Sequence, residues 1–414
     1  MRDIKSLKSL MENQLGQPFE KISVINLVDL LVEYAYSTKA SDIHIPPTRA
    51  GSRIRFRIDG LLQDIFDKSK ISNDLHQEII ARIKVLSGLR TDEHFLPQDG
   101  RFRVKIEEFG DVDIRVSIMP TYYGENVIMR VLAESQNFKL EDMGFSPNDI
   151  KKVESAISKS FGMILANGPT GSGKTTTLYT ILRRLNSPEV SIITIEDPIE
   201  YSLDGTTQIQ INEQVGLTFA NGLRSILRQD PNIIMVGEIR DEDTAAIAVN
   251  AALTGHLVLS TLHTNDAATT FPRLLDMGVP PFLVASTVNI ATGQRLVRTL
   301  CQDCKTKRAL KDEEVKSLSE LLPEIAKMGE KNFFAPNPKG CDACGQSGYR
   351  GRIGIREVIE VNEEIRQLVM NRANATQIKE AAIRNGMTTM IEDGLQKAAK
   401  GLTSIEEIIR IIHE

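Results

Sequence analysis

The run Gly168-Pro169-Thr170-Gly171-Ser172-Gly173-Lys174-Thr175 fills every fixed position of the pattern G-x-x-x-x-G-K-[ST]. An apolar segment, Met163 to Ala166, precedes it, and a helix-compatible one, Thr176 to Leu185, follows. No other feature constrains the fold as much, because such a cradle needs a strand, a glycine-rich loop and a helix N-terminus in fixed succession. Glycines let the backbone amides turn inward around phosphates, and Lys174 places a positive charge near the terminal ones. Thr175 can offer its hydroxyl to Mg²⁺ at the helix start, with Thr176 beside it. A nucleoside triphosphate is the expected ligand.

Apolar runs recur at 161–166, 190–195, 232–236 and 257–261, separated by helical segments. Such runs predict a parallel sheet covered on both faces, hence a RecA-like α/β core. At 414 residues the chain exceeds one ordinary core. Upstream, helix-spaced apolar positions at Ile25, Val28, Leu31, Val32 and Ala35 give way to alternation over 53–58, a switch from helix to strand period. Ile58-Asp59-Gly60-Leu61 reads as a hairpin turn, 74–87 as a helix, and 101–106, 112–118 and 126–132 as strands. The expected organisation is an N-terminal segment 1–21, an α+β domain 22–133, a linker 134–149 and an ATPase core 150–298. A cysteine-bearing region 299–353 and a C-terminal helical bundle 354–414 complete it. In that bundle helices are expected at 363–371, 376–385, 389–400 and 404–412, with Thr376 and Ser404 as N-caps.

A net charge of -5 and the absence of Trp weigh against a nucleic-acid binder, which needs basic surface and aromatic stacking platforms. No apolar run approaches the roughly 18–20 residues that span a bilayer, and the charged start lacks a signal-peptide core. A cytoplasmic protein is expected.

Acidic residues follow two of the apolar runs: Glu196-Asp197 after Ile195, and Glu238 after Val236-Gly237. Ligands of open parallel sheets sit at strand C-termini, so both can face a γ-phosphate. Gly237 stands where an Asp would ordinarily hold the metal, which makes Glu238 the expected base or water-positioner and leaves Glu196 or Asp197 to assist Mg²⁺. His256 and His263 flank the strand at 257–261 and are candidate phosphate sensors by hydrogen bonding. Arg115, Arg130, Arg224, Arg228 and Arg240 are candidate cations for the charge that builds on the γ-phosphate.

All four cysteines form two C-x-x-C pairs, Cys301/Cys304 and Cys341/Cys344. That spacing suits one tetrahedral Zn²⁺ with no open coordination position, hence a structural metal. Residues 305–340 between the pairs are expected to be a helical excursion.

Ordered along the chain, Ala40-Ser41-Asp42-Ile43-His44, Arg57-Ile58-Asp59-Gly60, Pro97-Gln98-Asp99-Gly100-Arg101 and Asp113-Ile114-Arg115-Val116-Ser117 precede the phosphate loop. Glu196-Asp197-Pro198, Gly237-Glu238-Ile239-Arg240-Asp241, residues 255–264, Gln294-Arg295-Leu296-Val297-Arg298 and the cysteines follow it. Together these resemble the secretion ATPases that power type II protein secretion and type IV pilus assembly, the GspE/PilB group, from about residue 22 to about 370. The resemblance implies a homo-hexamer whose subunits carry a PAS-like domain and a RecA-like domain. It implies Glu238 as catalytic glutamate, Glu196 as a participant, and Arg115 and Arg130 as arginines that reach ATP. The expected partner is an inner-membrane platform protein, with membrane association only through partners, at the inner face of the cytoplasmic membrane, and no direct nucleic-acid contact. Only about twenty residues precede the matched region, which makes recruitment through an extended N-terminal domain doubtful, and Asn232 replaces the usual Asp. A retraction motor of the same superfamily, a RecA-like nucleic-acid translocase and a nonhydrolysing scaffold are the competing readings.

Overall fold

In this computed structural model, which describes residues 4–66, 71–106, 110–132, 138–329 and 331–413, the chain divides into two units, Met1–Gln136 and Asn137–Glu414. The segment expected as a linker at 134–149 lies partly outside the described residues. Its remainder leads into a helix, Pro147–Ile157, capped by the Ser146 hydroxyl, which accepts from Asp149 N at 3.1 Å.

The first unit is a six-stranded antiparallel sheet in the order Leu61–Asp64, Arg55–Ile58, Ala40–Ile45, Gly124–Leu132, Gly110–Thr121 and Gln98–Ile106. Asp59 and Gly60 join the first two with φ of 50° and 87°, the left-handed pair that a two-residue hairpin needs to match strand twist. Helices Val24–Ser37 and Asn73–Leu86 start at Ser23 and Ser72, each of which accepts a backbone N–H three residues on. Leu27, Leu31, Ile79 and Ile83 share one core with Ile43, Phe56, Ile114 and Met129. The residues before 22 belong to it too, because helix Ile4–Leu15 buries Leu7 and Met11 there.

Strand alternation puts the polar side chains of this sheet on the face away from that core. One register row crosses five strands: Arg57, Asp42, Arg130, Arg115 and Arg101. Asp42 is 5% exposed and meets the Nε of Arg130 at 3.0 Å and that of Arg57 at 3.5 Å. The row places Arg115 and Arg130 directly opposite each other.

The second unit holds a seven-stranded sheet in the order Thr207–Gln210, Ile192–Glu196, Ile233–Val236, Leu257–Leu262, Gly162–Asn167, Val288–Leu300 and Tyr349–Glu360. The first six run parallel and the last pairs antiparallel. The two innermost short strands, Gly162–Asn167 and Leu257–Leu262, are buried at every residue, as strands covered on both faces must be. This is the P-loop α/β core expected from the sequence. Val288–Leu300 and Tyr349–Glu360 are long partners that cross the boundaries expected at 298/299 and 353/354. The bundle from 354 onward therefore starts inside a strand.

Helices Glu363–Met370, Ala375–Arg384, Met390–Ala399 and Ile405–His413 complete the unit. Thr376 lies inside the first turn and is not the cap. Asn374 takes that role, its side chain accepting from Gln377 N while the Gln377 side chain accepts from Asn374 N. Ser404 does cap the last helix, accepting from Glu407 N at 3.4 Å.

That last helix is fastened to the long strand through a buried carboxylate. Glu407, 1% exposed, accepts from Arg298 N at 2.9 Å, Arg298 Nη2 at 2.6 Å and Arg410 Nη2 at 3.0 Å. Burial opposes its ionisation, but the two arginines outweigh it and hold the carboxyl below its ordinary value. A depressed carboxyl stabilises the fold above its unfolded pKa and loses that contribution as pH falls through the folded one. Glu407→Gln should lower unfolding free energy by about 2 kcal/mol at neutral pH, measured by urea denaturation, with the gap to wild type shrinking below about pH 4. An equal gap at both pH values would contradict this.

Candidate functional site

Strand Gly162–Asn167 delivers the chain at the C-terminal edge of the parallel sheet, and helix Lys174–Leu185 carries it away. Gly168, Gly171 and Gly173 bend the loop between them with φ of 145°, 78° and 87°. A Cβ on Gly168 would lie 2.4 Å from Gln294 O and 2.6 Å from Ser172 Oγ, so only glycine fits there. Pro169, Thr170 and Gly171 form the exposed tip, and Ser172 Oγ is buried without a partner. Lys174, 9% exposed, donates from Nζ to Gly168 O at 2.8 Å and Pro169 O at 3.0 Å. Burial pulls its ammonium below the ordinary lysine value, with Glu238 opposing. Such a lysine gains from any anion placed in the loop. Thr175 is half-buried at the helix start, and Thr176 O accepts from Thr180 Oγ1 at 2.8 Å.

Gln294 holds this loop from the neighbouring strand. Fully buried, it donates from Nε2 to Ser172 O at 2.8 Å and accepts from Thr177 Oγ1 at 2.9 Å. Gln294 opens the motif Gln294-Arg295-Leu296-Val297-Arg298, where the residues alone assign it no role. The signal available was its place on a strand that follows the buried-sheet pattern, since a buried amide must find partners.

Two strands away, Ile233–Val236 ends at Gly237, whose N donates to Ile195 O at 2.8 Å and whose O accepts from Thr261 Oγ1 at 2.8 Å. A Cβ at Gly237 would come within 3.3 Å of Glu196 Cα and Ile195 O, a tight fit that favours glycine at the position where an Asp ordinarily stands. Glu238 follows, 8% exposed, with one oxygen shared by Arg240 Nε at 2.6 Å and His263 Nε2 at 2.9 Å. His263 comes just after strand Leu257–Leu262, so Lys174, Glu238 and His263 gather at one sheet edge.

Other expected residues lie elsewhere. His256 precedes that same strand and therefore sits at the opposite edge, where its Nδ1 is 3.0 Å from Ala251 O. The strand separates it from the phosphate loop, which removes it from the candidate nucleotide contacts. Glu196 is 2% exposed and turns into a polar cluster of its own. Tyr179 Oη donates to one oxygen, while Thr194 Oγ1 at 2.5 Å and Gln208 Nε2 at 3.1 Å donate to the other. Burial pushes the Glu196 carboxyl above its ordinary value despite these donors. Asp197 is exposed and contributes to the field at Arg240. Arg224 and Arg228 bond within their own helix end, to Asn221 Oδ1 at 3.1 Å and Arg224 O at 2.8 Å.

The cysteines converge because the two long strands bring Leu300 opposite Tyr349, one end beside each pair. Between them, strands Thr306–Ala309 and Asn332–Ala335 pair, and helices Asp312–Leu321 and Pro323–Met328 fill the excursion. All four Sγ lie within 4.8 Å of one another. Cys301 to Cys341 is 3.7 Å, Cys304 to Cys344 3.9 Å and Cys341 to Cys344 3.7 Å. Zn–S bonds of about 2.3 Å in a tetrahedron give edges of about 3.8 Å, so the set fits Zn²⁺. Burial opposes ionisation of Cys344, yet the N–H groups of Cys341 and Gly348 outweigh it and bring the thiol down to about 6.

A family model described as "Type II/IV secretion system protein" matches residues 19–410. The chain is 43% identical over 411 residues to the type IV pilus assembly ATPase PilB of Myxococcus xanthus, covering 98% of this chain and 71% of that protein. It is equally 43% identical to the type II secretion system protein HxcR of Pseudomonas aeruginosa, over 100% of this chain and 81% of that one. Among such relatives the share of the longer protein that it spans falls as low as 44%. The solved structure of the Legionella pneumophila ATPase DotB superposes on 96% of this chain and 98% of its own at a TM-score of 0.70, with 24% identity, a likeness of fold.

Replacing Gln294 tests the buttress. Gln294→Ala should weaken nucleoside triphosphate binding by up to about thirtyfold while leaving the circular dichroism spectrum intact, because Ser172 O and Thr177 Oγ1 lose charge-neutral hydrogen bonds worth roughly 1 kcal/mol each. Unchanged affinity by fluorescent-nucleotide titration would reject it.

Proposed function

The chain belongs to the type II/IV secretion system protein family, and from that premise we propose that it is a motor that hydrolyses ATP to drive pilin or pseudopilin assembly. The observation that carries the reading is the gathering of Lys174, Glu238 and His263 at the edge where the phosphate loop leaves the sheet. The loop's fit to a phosphate is supported by its unpartnered Ser172 Oγ and by the glycine contacts at Gly168.

In this reading the loop amides and Lys174 hold the β- and γ-phosphates, and Lys174 exchanges its bonds to Gly168 O and Pro169 O for bonds to phosphate oxygens. Thr175 is the residue to hold Mg²⁺, which when bound supplies neutralisation of phosphate charge. Glu238 orients the attacking water and takes its proton, so it must part at least partly from Arg240. His263 reports the γ-phosphate by hydrogen bonding. Glu196 acts indirectly, fixing Tyr179 and with it the helix behind the loop, and Asp197 remains available near the metal.

Arg115 and Arg130 supply further cations to the terminal phosphates in a homo-hexamer, Asp42 keeping Arg130 extended along its row. The four cysteines hold a structural Zn²⁺ that clasps the ends of the long strand pair. Domain motion on hydrolysis acts on an inner-membrane platform protein at the cytoplasmic face. Among the described residues no helix is long and apolar enough to cross a membrane.

Steady-state turnover tests the assignment. Glu238→Gln should reduce kcat by about 10²- to 10³-fold while ATP affinity persists, the range for removing a positioned base. Turnover within threefold of wild type would place the base elsewhere.

A further inference from the structure

Beside Glu238 the second unit has a cavity of about 400 Å³ lined by Ile239, Arg240, His263, Arg273 and Met277. Its polar lining is two arginines and a histidine. The carboxylate bonded to that lining is Glu238, which takes Arg240 at 2.6 Å and His263 at 2.9 Å. Asp197 and Glu213 act on Arg240 only through the longer-range field. Arg273 lies exposed on helix Thr270–Asp276, and among the described residues its guanidinium has neither an ion pair nor a hydrogen bond.

This helix is tied to the phosphate loop. Asn167, the residue immediately before Gly168, donates from Nδ2 to Thr270 Oγ1 at 2.6 Å, and its Oδ1 is buried without a partner. The cavity thus lies beside Glu238, and the helix that carries Arg273 into its lining is tied through Thr270 to the residue that enters the phosphate loop.

We propose that this cavity is a binding site for a phosphate anion, the inorganic phosphate that hydrolysis releases, with Arg273 and Arg240 as its principal ligands and His263 as a third. The proposal rests on the ATPase reading for the origin of the anion. Arg240 carries five N–H donors and one carboxylate engages at most two, so it can serve Glu238 and a phosphate in turn. An anion freed beside Glu238 meets a carboxylate of like charge there and two guanidiniums in the adjacent cavity, which draws it sideways off the phosphate loop. When phosphate takes Arg240, Glu238 loses one of its two partners and is freed for the next cycle.

The test is equilibrium dialysis of radiolabelled inorganic phosphate against the full chain saturated with Mg-ADP. One saturable phosphate per chain is expected, with Arg273→Ala raising its Kd about tenfold, as loss of a charged hydrogen-bonding partner does. Arg384→Ala, at an exposed ion pair with Glu364 in the C-terminal helices, serves as control and should leave the Kd unchanged. No saturable phosphate, or the same Kd in Arg273→Ala as in wild type, overturns the site. A nonhydrolysable ATP analogue supplies the other arm: if Arg273→Ala weakens the analogue by the same factor as phosphate, the cavity is merely part of the γ-phosphate's own place and the separate site is rejected. Because the readout is binding, a chain that holds phosphate through Arg273 yet turns over no ATP sinks the ATPase reading and leaves the site standing.

Discussion

Everything at the candidate site depends on the parallel pairing of strands that are buried on both faces. Parallel neighbours release the chain at the same edge, so residues as far apart in sequence as Lys174, Glu238 and His263 arrive together without any contact having been specified between them. The pairing also explains what is absent from that edge. His256 and His263 are separated by one strand and are consequently at opposite ends of the sheet, although they read as one motif. Polarity of the strand, more than nearness in sequence, decides which side chains can share a ligand.

With that frame fixed, the charges of the site close upon themselves. The Lys174 ammonium rests on loop carbonyls, and Glu238 rests on Arg240 and His263. Each is held by bonds that a ligand can replace with stronger ones, so the groups are kept satisfied and still exchangeable. Glu196 differs in kind. Three donors from Tyr179, Thr194 and Gln208 enclose it, and removing it would strand all three. Two glutamates at neighbouring strand ends thus divide the work: one is embedded in the scaffold, and the other remains at the margin where its partners can change.

Much of this was legible in the residues. The phosphate loop, the apolar strands, the hairpin at Asp59-Gly60 and the cysteine pairs each carry a local signature tied to a physical need. What escaped was set by tertiary context. The interior strand Ala40–Ile45 hides because Asp42 is buried by arginines from neighbouring strands, a compensation that alternation of polarity does not reveal. Asn374 displaced Thr376 as a cap because two side chains reciprocate across one turn, and either residue type satisfies the local preference. Gln294 lay within a recognised motif, but its task became visible only with the loop beside it. The long pairing of Val288–Leu300 with Tyr349–Glu360 joins segments too distant in sequence for any local pattern to announce.

That pairing has a consequence for how the chain tolerates change. Residues 305–340 leave from one strand end and return to the other, with both exits gripped by cysteines, so the geometry that matters is settled before the excursion begins. Its buried Leu310, Leu322, Ile325 and Phe333 pack in one core with Val297 and Ile355 of the strand pair and Leu395 and Ala398 of the C-terminal helices. Closing a loop costs only slowly more as it lengthens, so added length is tolerated in the exposed turns of this stretch, while those four side chains bind the rest of it to the sheet. Exposed positions such as Pro338 and Lys339, clear of that core, are where lineages can diverge and where an engineer can seat a reporter.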